Sequence, residues 1–270
     1  AALIALMGAP FLLPAVVAVL GLLAVFGRSG LVNDALALAG LPPLSLYGLH
    51  GVVLAHVFLN LPLATRMILQ GWQSIPAERL RLAQSLDFGP AQSFRHLELP
   101  MLREVVPGVA LVILVICLTS FAVVLTLGGG PAATTIELAI YQAVRFEFDL
   151  SRAAGLAGVQ VLICAAAALV AWTVARPAAF GFGLGRTTPL VAPAGWRGLA
   201  DALILTAATL FLAAPLLAVI LRGLPGLAEL PASVLPAALR SLGVALTSAA
   251  LCTASALVLA LAAARRPRPL

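Results

Sequence analysis

Runs of about 20 mostly apolar residues restrict the fold of this chain more than any other feature. Hydrophobic residues make up 62% of the chain and charged residues only 10%. A helix of about 20 apolar residues crosses roughly 30 Å of hydrocarbon, and its backbone satisfies its own hydrogen bonds there. A transmembrane barrel would need strict alternation, which a stretch such as Val109–Thr119 does not show. We therefore predict an all-α transmembrane protein, a multi-pass helical bundle.

Six membrane spans and their orientation follow from the apolar runs and the arginines. The predicted spans are residues 3–26, 49–70, 105–127, 153–175, 201–222 and 239–263. All sixteen basic residues are Arg, and eleven of them lie in one alternate set of loops and flanks against five in the other. The positive-inside rule places the richer set in the cytoplasm. The pI near 10.5 is due to these arginines. Because they lie beside apolar spans, we expect the chain to contact a lipid bilayer and not nucleic acid.

Several classes of activity are disfavoured by what the sequence lacks. Without Lys there is no G-x-x-x-x-G-K-[ST] phosphate loop, so we expect any ATP hydrolysis to take place on another polypeptide. The three histidines, His50, His56 and His96, do not have the spacing of a metal or catalytic motif. We predict no catalytic residue, no metal and no cofactor. A secondary transporter is also disfavoured, since ion coupling calls for ionisable residues near mid-span.

One loop, residues 71–104, carries most of the polar information. Pro76 occupies a position where a first helical turn accepts proline, and residues 77–86 form an amphipathic pattern. Its apolar face is predicted to contain Leu80, Ala83 and Leu86. The sequence from Asp87 to Pro90 breaks this helix, and a second short helix is predicted to end at Leu99-Pro100. The loop would offer a rigid, partly apolar knob to a partner.

This loop resembles the "EAA" coupling loop of type I ABC importer permeases, whose pattern is E-A-A-x3-G-x9-I-x-L-P. The residues at or beside its conserved positions are Glu78, Arg81, Leu82, Ala83, Asp87, Gly89, Leu97, Leu99 and Pro100. Arg81 replaces the first acid and Asp87 replaces the glycine, so we expect Gly89-Pro90 to supply the turn. The resemblance implies the permease fold of that family. It also implies that the loop docks on an ATP-binding cassette subunit, which we expect to be a dimer, and transmits its closure to the spans.

The flanking segments narrow the resemblance. Residues 50–66, 127–142 and 149–154, together with Gln160, are similar to the thiamine importer permeases, relatives of the ferric-iron permeases. That family implies thiamine or its phosphates as cargo, a periplasmic thiamine-binding protein and the bacterial inner membrane. Ferric iron or a polyamine is the alternative cargo.

The same resemblance implies two fused permease halves. Residues 1–176 would be the later part of the first half, residues 177–199 a cytoplasmic linker, and residues 200–270 the start of the second half. We expect the chain to be the middle of a longer protein, with a second coupling loop beyond residue 270.

A few polar residues in or beside the spans are candidates for the substrate pathway. They are His56, Asn60, Glu137, Tyr141, Gln142 and Glu147. We expect Asn60 to make an interhelical hydrogen bond and His56 to be a packing residue. Glu137 would form a capping box with Thr134. With Phe146 and Phe148, the acidic and aromatic members would suit a cationic, aromatic cargo through charge and cation–π contacts.

Overall fold

The computed structural model describes residues 13–128, 130, 133–174 and 195–265, and these residues are helical apart from short connections. The helices are α1 (Ala15–Phe26), α2 (Leu31–Leu38), α3 (Leu49–Gln73), α4 (Ala77–Ser85), α5 (Pro90–Leu118), α6 (Phe121–Leu127), α7 (Ile136–Arg145), α8 (Leu150–Val174), α9 (Trp196–Gly223) and α10 (Val234–Ala264). Among the described residues, six candidate membrane spans are long and apolar enough to cross a bilayer, which is the number predicted. Contacts divide the chain into one unit up to Ile220 and a second from Leu221.

The third predicted span, residues 105–127, is wrong in its form. α5 starts at Pro90 and ends at Leu118, and a break at Thr119 and Ser120 separates it from the short helix α6. The Thr119 amide still donates to the Val115 carbonyl at 3.0 Å, and its hydroxyl donates to the same carbonyl at 2.9 Å. The helix ends because Ser120, with ψ of 94°, takes an extended conformation. A run of apolar residues predicts which segment lies in the hydrocarbon of the membrane. It does not reveal a break of two residues in the helix, because such a break leaves the hydropathy of the run almost unchanged.

The core of the first unit surrounds α6. Val123, Val124 and Leu127 are all 1% exposed or less. They pack with buried residues of α1, α3, α7 and α9, namely Ala18, Val19, Leu22, Val52, Ala55, Phe58, Leu138 and Leu212, and with Leu46 of the connection before α3. The Leu127 carbonyl also accepts a hydrogen bond from the Gly48 amide at 2.7 Å. Thr119 and Leu125 are exposed, but the other face of α6 is covered by protein, the setting in which membrane proteins tolerate a break in a span.

Close backbone packing joins α9 to the helices before it. A Cβ built on Gly21 of α1 would lie 2.7 Å from the carbonyl oxygen of Pro215, so only glycine allows this approach. Phe58 of α3 meets Phe211 edge to face, with ring centroids 5.7 Å apart. α9 is thus an integral part of the first unit up to Ile220.

The connection between α1 and α3 is held by one buried side chain. Asn33, 5% exposed, donates from Nδ2 to the carbonyls of Gly27 at 2.8 Å and Leu44 at 2.9 Å. Its Oδ1 accepts from the Leu44 amide at 2.7 Å. Asn33 lies in the short helix α2 and so ties that helix to the segments on both sides of it.

The second unit contains a 3₁₀ turn, Pro225–Glu229, followed by α10. Every described residue of α10 is exposed, including large apolar ones such as Leu251 and Leu259. A helix that is apolar all round faces lipid or other protein segments rather than water.

Candidate functional site

The first arm of the predicted coupling loop, α4, ends in a well-formed C-terminal cap. The amide of Phe88 donates to the Ala83 carbonyl at 3.0 Å, and the amide of Asp87 donates to the Gln84 carbonyl at 3.1 Å. These two bonds are those of a Schellman motif, in which the residue after the C-cap takes the left-handed conformation. That residue is Asp87, with φ of 51°.

Asp87 occupies the glycine position of the coupling-loop pattern, so this conformation explains the substitution. Glycine adopts positive φ freely, and aspartate is among the few other residues that tolerate it. The expectation that Gly89-Pro90 supplies the turn was wrong, because Gly89 has an ordinary φ of −67°. Gly89 instead begins the next helix, where its amide donates to the side chain of Gln92 at 2.9 Å.

The second arm does not end at Leu99-Pro100 as predicted. It passes through a π-helical turn, Phe94–Glu98, and continues into the membrane as α5, 29 residues long from Pro90 to Leu118. The Leu99 amide bonds to the Phe94 carbonyl five residues back, and Pro100 falls in the first turn of the α-helical part. The second arm of the predicted coupling loop and the third span are therefore one continuous helix.

The two arms are linked by a ring contact, and their outer surface is apolar and basic. The rings of Phe88 and His96 lie 5.8 Å apart. Leu82 and Leu86 are 60% and 59% exposed, whereas Ala83 is buried. Glu78, Arg81, Asp87 and Pro100 are also exposed, and Gly89, Leu97 and Leu99 are half-buried.

Leu86 therefore does not belong to the inward face to which the sequence analysis assigned it. It follows the last α-helical residue, Ser85, where the backbone departs from helical periodicity. Leu82, Leu86 and Arg81 are thus available to a partner, and Ala83 attaches α4 to the protein.

The base of the loop is fixed by close packing of α3 on α5. A Cβ on Gly71 would lie 2.6 Å from Val105 Cγ2 and 3.1 Å from Met101 Sδ. Met101 is fully buried. Because Gly71 precedes α4 and Met101 follows the π turn, both ends of the loop are anchored at one contact.

Asn60 makes the interhelical contact expected of it. Its side chain is 6% exposed, and Nδ2 lies 3.6 Å from Cys117 Sγ on α5 and donates to the His56 carbonyl at 2.9 Å. His56 is half-buried, and its Nε2 has no hydrogen-bond partner among the described residues. The expectation of a satisfied packing histidine therefore does not hold for that nitrogen.

Glu137 is not the helix cap that the sequence predicted. The N-cap of α7 is Thr135, not Thr134, and its side chain makes no capping bond. Glu137 Oε2 instead accepts from Nε2 of Gln160 on α8 at 2.9 Å. The same nitrogen donates to the Leu118 carbonyl at 3.3 Å, where α5 breaks. One amide thus joins α5, α7 and α8.

The remaining candidates cluster at the end of α7. The ring of Tyr141 lies 4.7 Å from that of Phe121 and 5.8 Å from that of Phe146. Glu147 forms an ion pair with Arg152, and both are exposed. Asp149 caps α8 as expected, its Oδ1 accepting from the Arg152 amide at 2.9 Å.

Tyr141 therefore lies close to aromatic neighbours, but the negative charge of Glu147 is already compensated by its ion pair. Gln142 is exposed, and its carbonyl accepts the amides of Phe146 and Glu147. Phe148, with φ of 55° and 77% exposed, projects beside them.

Gln160 was given no role by sequence reasoning, although it is 8% exposed and joins three helices. The available signal was its amide within an apolar span, where polar side chains normally hydrogen-bond to other helices.

Comparison with known proteins agrees with this architecture. The thiamine transport system permease proteins of Salmonella typhimurium and Escherichia coli are each 43% identical over 231 residues, 82% of this chain. That of Brucella suis is 38% identical over 217 residues, 80% of this chain. The chain is a homologue of these permeases.

The chain spans about two fifths of the length of the curated relatives it matches, 42% of the Salmonella typhimurium protein and 40% of the Brucella suis protein. A probable ABC transporter permease protein of Sinorhizobium fredii is 31% identical over 173 residues, 61% of this chain and 56% of that protein. No protein-family profile matches the chain. The similarity and the six candidate spans among the described residues indicate a multi-pass helical membrane protein that is similar to these permeases.

Proposed function

We propose that this chain is part of the membrane-spanning subunit of an ABC importer that carries thiamine or its phosphates inward across the bacterial inner membrane. ATP hydrolysis takes place on a separate ATP-binding cassette subunit, and a periplasmic thiamine-binding protein delivers the cargo. The named relatives support the cargo, because they are permeases of thiamine transport systems.

The coupling-loop geometry is the observation that carries the proposal. Leu82 and Leu86 are exposed on a short helix whose buried Ala83 faces the protein. Such a helix can dock on a partner, and its second arm continues directly into α5. A movement imposed on α4 would reach this second arm through the turn at Asp87 and the contact between Phe88 and His96, and would then pass along one helix into the membrane. Coupling between two states of a partner and a pore requires such a connection.

The domain organisation remains part of the proposal. Residues 1–176 form the later part of a first permease half, and residues 200–270 begin a second half. The intervening linker, residues 177–199, lies largely outside the described residues. The packing of Phe211 and Pro215 on α3 and α1 supports a second half that interlocks with the first.

The candidate pathway residues also belong to the proposal. Glu137, Tyr141 and Gln142 on α7, and Glu147 after it, lie on the side predicted to face the periplasm. His56 and Asn60 lie within α3. Because Glu137 and Glu147 already have partners, their contribution to cargo binding is best tested together, as Glu137→Gln with Glu147→Gln in uptake kinetics. Unchanged kinetics would remove these two carboxylates from the pathway.

The deciding experiment is uptake of labelled thiamine into proteoliposomes. The vesicles contain the full-length parent protein with its ATP-binding cassette subunit and binding protein, with and without ATP. We expect ATP-dependent uptake that is lost in the double variant Leu82→Ser, Leu86→Ser. The matched control is Gln84→Ser, which also alters an exposed residue of α4 but removes no apolar contact.

The outcomes separate the parts of the proposal. Uptake of ferric iron or a polyamine, without thiamine, would retain the permease and overturn the cargo. Full ATP-dependent uptake by the Leu82 and Leu86 double variant would overturn the role of the coupling loop.

A further inference from the structure

A cleft of about 720 Å³ lies between α5 and α8, away from the coupling surface and the candidate pathway. It lies at the C-terminal end of α8 and beside the middle of α5, just after the predicted coupling loop, a region that the arginine distribution assigns to the cytoplasmic side. Its lining consists of Leu102, Arg103, Val106, Pro107, Thr173 and Val174. The cleft is therefore apolar along its walls and carries one cationic group.

That cation forms no ion pair in the described part of the chain. No carboxylate oxygen there lies within 4.0 Å of the Arg103 guanidinium, although Glu104 is the next residue in sequence. Its side chain is exposed, so it reaches the bilayer surface while its helix enters the apolar region. A guanidinium at this depth favours a phosphate, to which it can donate two parallel hydrogen bonds.

The cleft also offers acceptors next to the guanidinium. Pro107 has no amide hydrogen, so it cannot donate to the carbonyl of Arg103, four residues before it. The Thr173 hydroxyl donates to the Val170 carbonyl at 2.9 Å and keeps its oxygen lone pairs for a second partner. A headgroup with hydroxyl donors therefore finds acceptors on both helices.

We propose that this cleft binds an anionic phospholipid from the cytoplasmic leaflet. Its phosphate pairs with Arg103, and an acyl chain lies along Val106, Pro107 and Val174. Basic clefts between membrane helices on the cytoplasmic side suit such headgroups. An anionic lipid is favoured over a zwitterionic one, because the ammonium of phosphatidylethanolamine would be repelled by the uncompensated guanidinium.

The site has a consequence for the coupling helix. Arg103 lies five residues after the end of the π turn, on the same helix that leaves the coupling loop. A bound lipid therefore contacts the element that transmits movement from the loop. This consequence rests on the proposed function, whereas the lipid site itself does not.

The test is native mass spectrometry of the full-length parent protein in detergent, titrated with phosphatidylglycerol or phosphatidylethanolamine. We expect the wild type to bind phosphatidylglycerol more tightly, and Arg103→Gln to weaken that binding about tenfold, as loss of one charged hydrogen-bonded pair predicts. Val106→Trp, which fills the cleft without changing charge, should weaken it as well. The control is Arg95→Gln, an exposed arginine on the same continuous helix outside the cleft.

Each contrary result overturns the site. Equal binding of the two lipids by the wild type would mean that the headgroup is not recognised, or that other parts of the full-length protein fill the cleft. An equal loss in Arg95→Gln would indicate general surface attraction. Competition by water-soluble glycerol phosphate at equal concentration would identify a phosphoester site without a lipid requirement. If Arg103→Gln does not fold, retention of phosphatidylglycerol by Val106→Trp is sufficient to refute the proposal.

Discussion

Gln160 donates to the carboxylate of Glu137 at 2.9 Å, and the same amide nitrogen lies 3.3 Å from the carbonyl of Leu118. The carbonyl belongs to the last residue of α5, where the helix breaks and the Leu118 oxygen loses its helical donor. Gln160 thus satisfies a backbone group at membrane depth and, through Glu137, connects that break to α7.

Removing this amide should destabilise the protein more than neutralising its partner. Gln160→Leu leaves both the Leu118 carbonyl and Glu137 without a donor, and we expect a loss of about 1–2 kcal/mol of unfolding free energy. Glu137→Gln keeps an acceptor oxygen and should cost less than half as much. Unfolding of the full-length protein in mixed micelles measures both, and equal costs for the two variants would show that the Leu118 contact contributes nothing.

Asp87 should accept glycine but not a β-branched residue. Asp87→Gly relaxes a left-handed backbone and should leave the melting temperature unchanged or slightly raised. Asp87→Val should lose about 1–2 kcal/mol, since valine tolerates positive φ poorly. Because the cap of α4 sets the position of Leu82 and Leu86, ATP-dependent uptake should fall with valine and survive with glycine. If valine is tolerated in both measurements, the Schellman cap is not required.

The length of the apolar runs predicted the fold, whereas specific hydrogen bonds determined how the candidate site residues are arranged. The ends of α3, α8 and α9 lie within a few residues of the predicted spans, since burial in hydrocarbon depends on run length. The break after Leu118 and the partner of Glu137 depend on tertiary contacts between residues far apart in sequence. The capping-box spacing of Thr134 and Glu137 was a local signal, and the more distant Gln160 provided the actual partner.

The predicted coupling loop also shows which features the sequence predicts and which it leaves open. Its two arms and the turn near Asp87 were predicted from Pro76, the amphipathic pattern and the resemblance. The use of Asp87 rather than Gly89 for the turn, and the π turn before Pro100, could not be deduced, because several backbone paths satisfy the same sequence pattern.

Replacing Gly71 and Gly108 by alanine, one at a time, tests the close contact between α3 and α5. Gly71→Ala places a Cβ 2.6 Å from Val105 Cγ2, so the base of the coupling loop must shift, at a cost of about 1–3 kcal/mol. Gly108→Ala, on α5, meets nothing within 4 Å and should be neutral or stabilising, as alanine favours helix. Micelle unfolding of the two variants checks this order, and a reversed order would refute the close α3–α5 contact.

Asn33 should be the most sensitive polar residue of the connection between α1 and α3. Asn33→Leu removes one acceptor and two donor bonds from a buried position, leaving the Gly27 and Leu44 backbone groups unpaired. We expect a loss of about 2–3 kcal/mol, because stranded buried groups cost more than the bonds themselves contribute. Asp34→Asn, at the adjacent exposed position, is the control and should change stability by less than about 0.5 kcal/mol. Hydrogen exchange should show faster opening of the Leu44 amide in Asn33→Leu alone. Unchanged exchange at that amide would mean that the apolar contacts of Leu46, and not the asparagine, hold the connection in place.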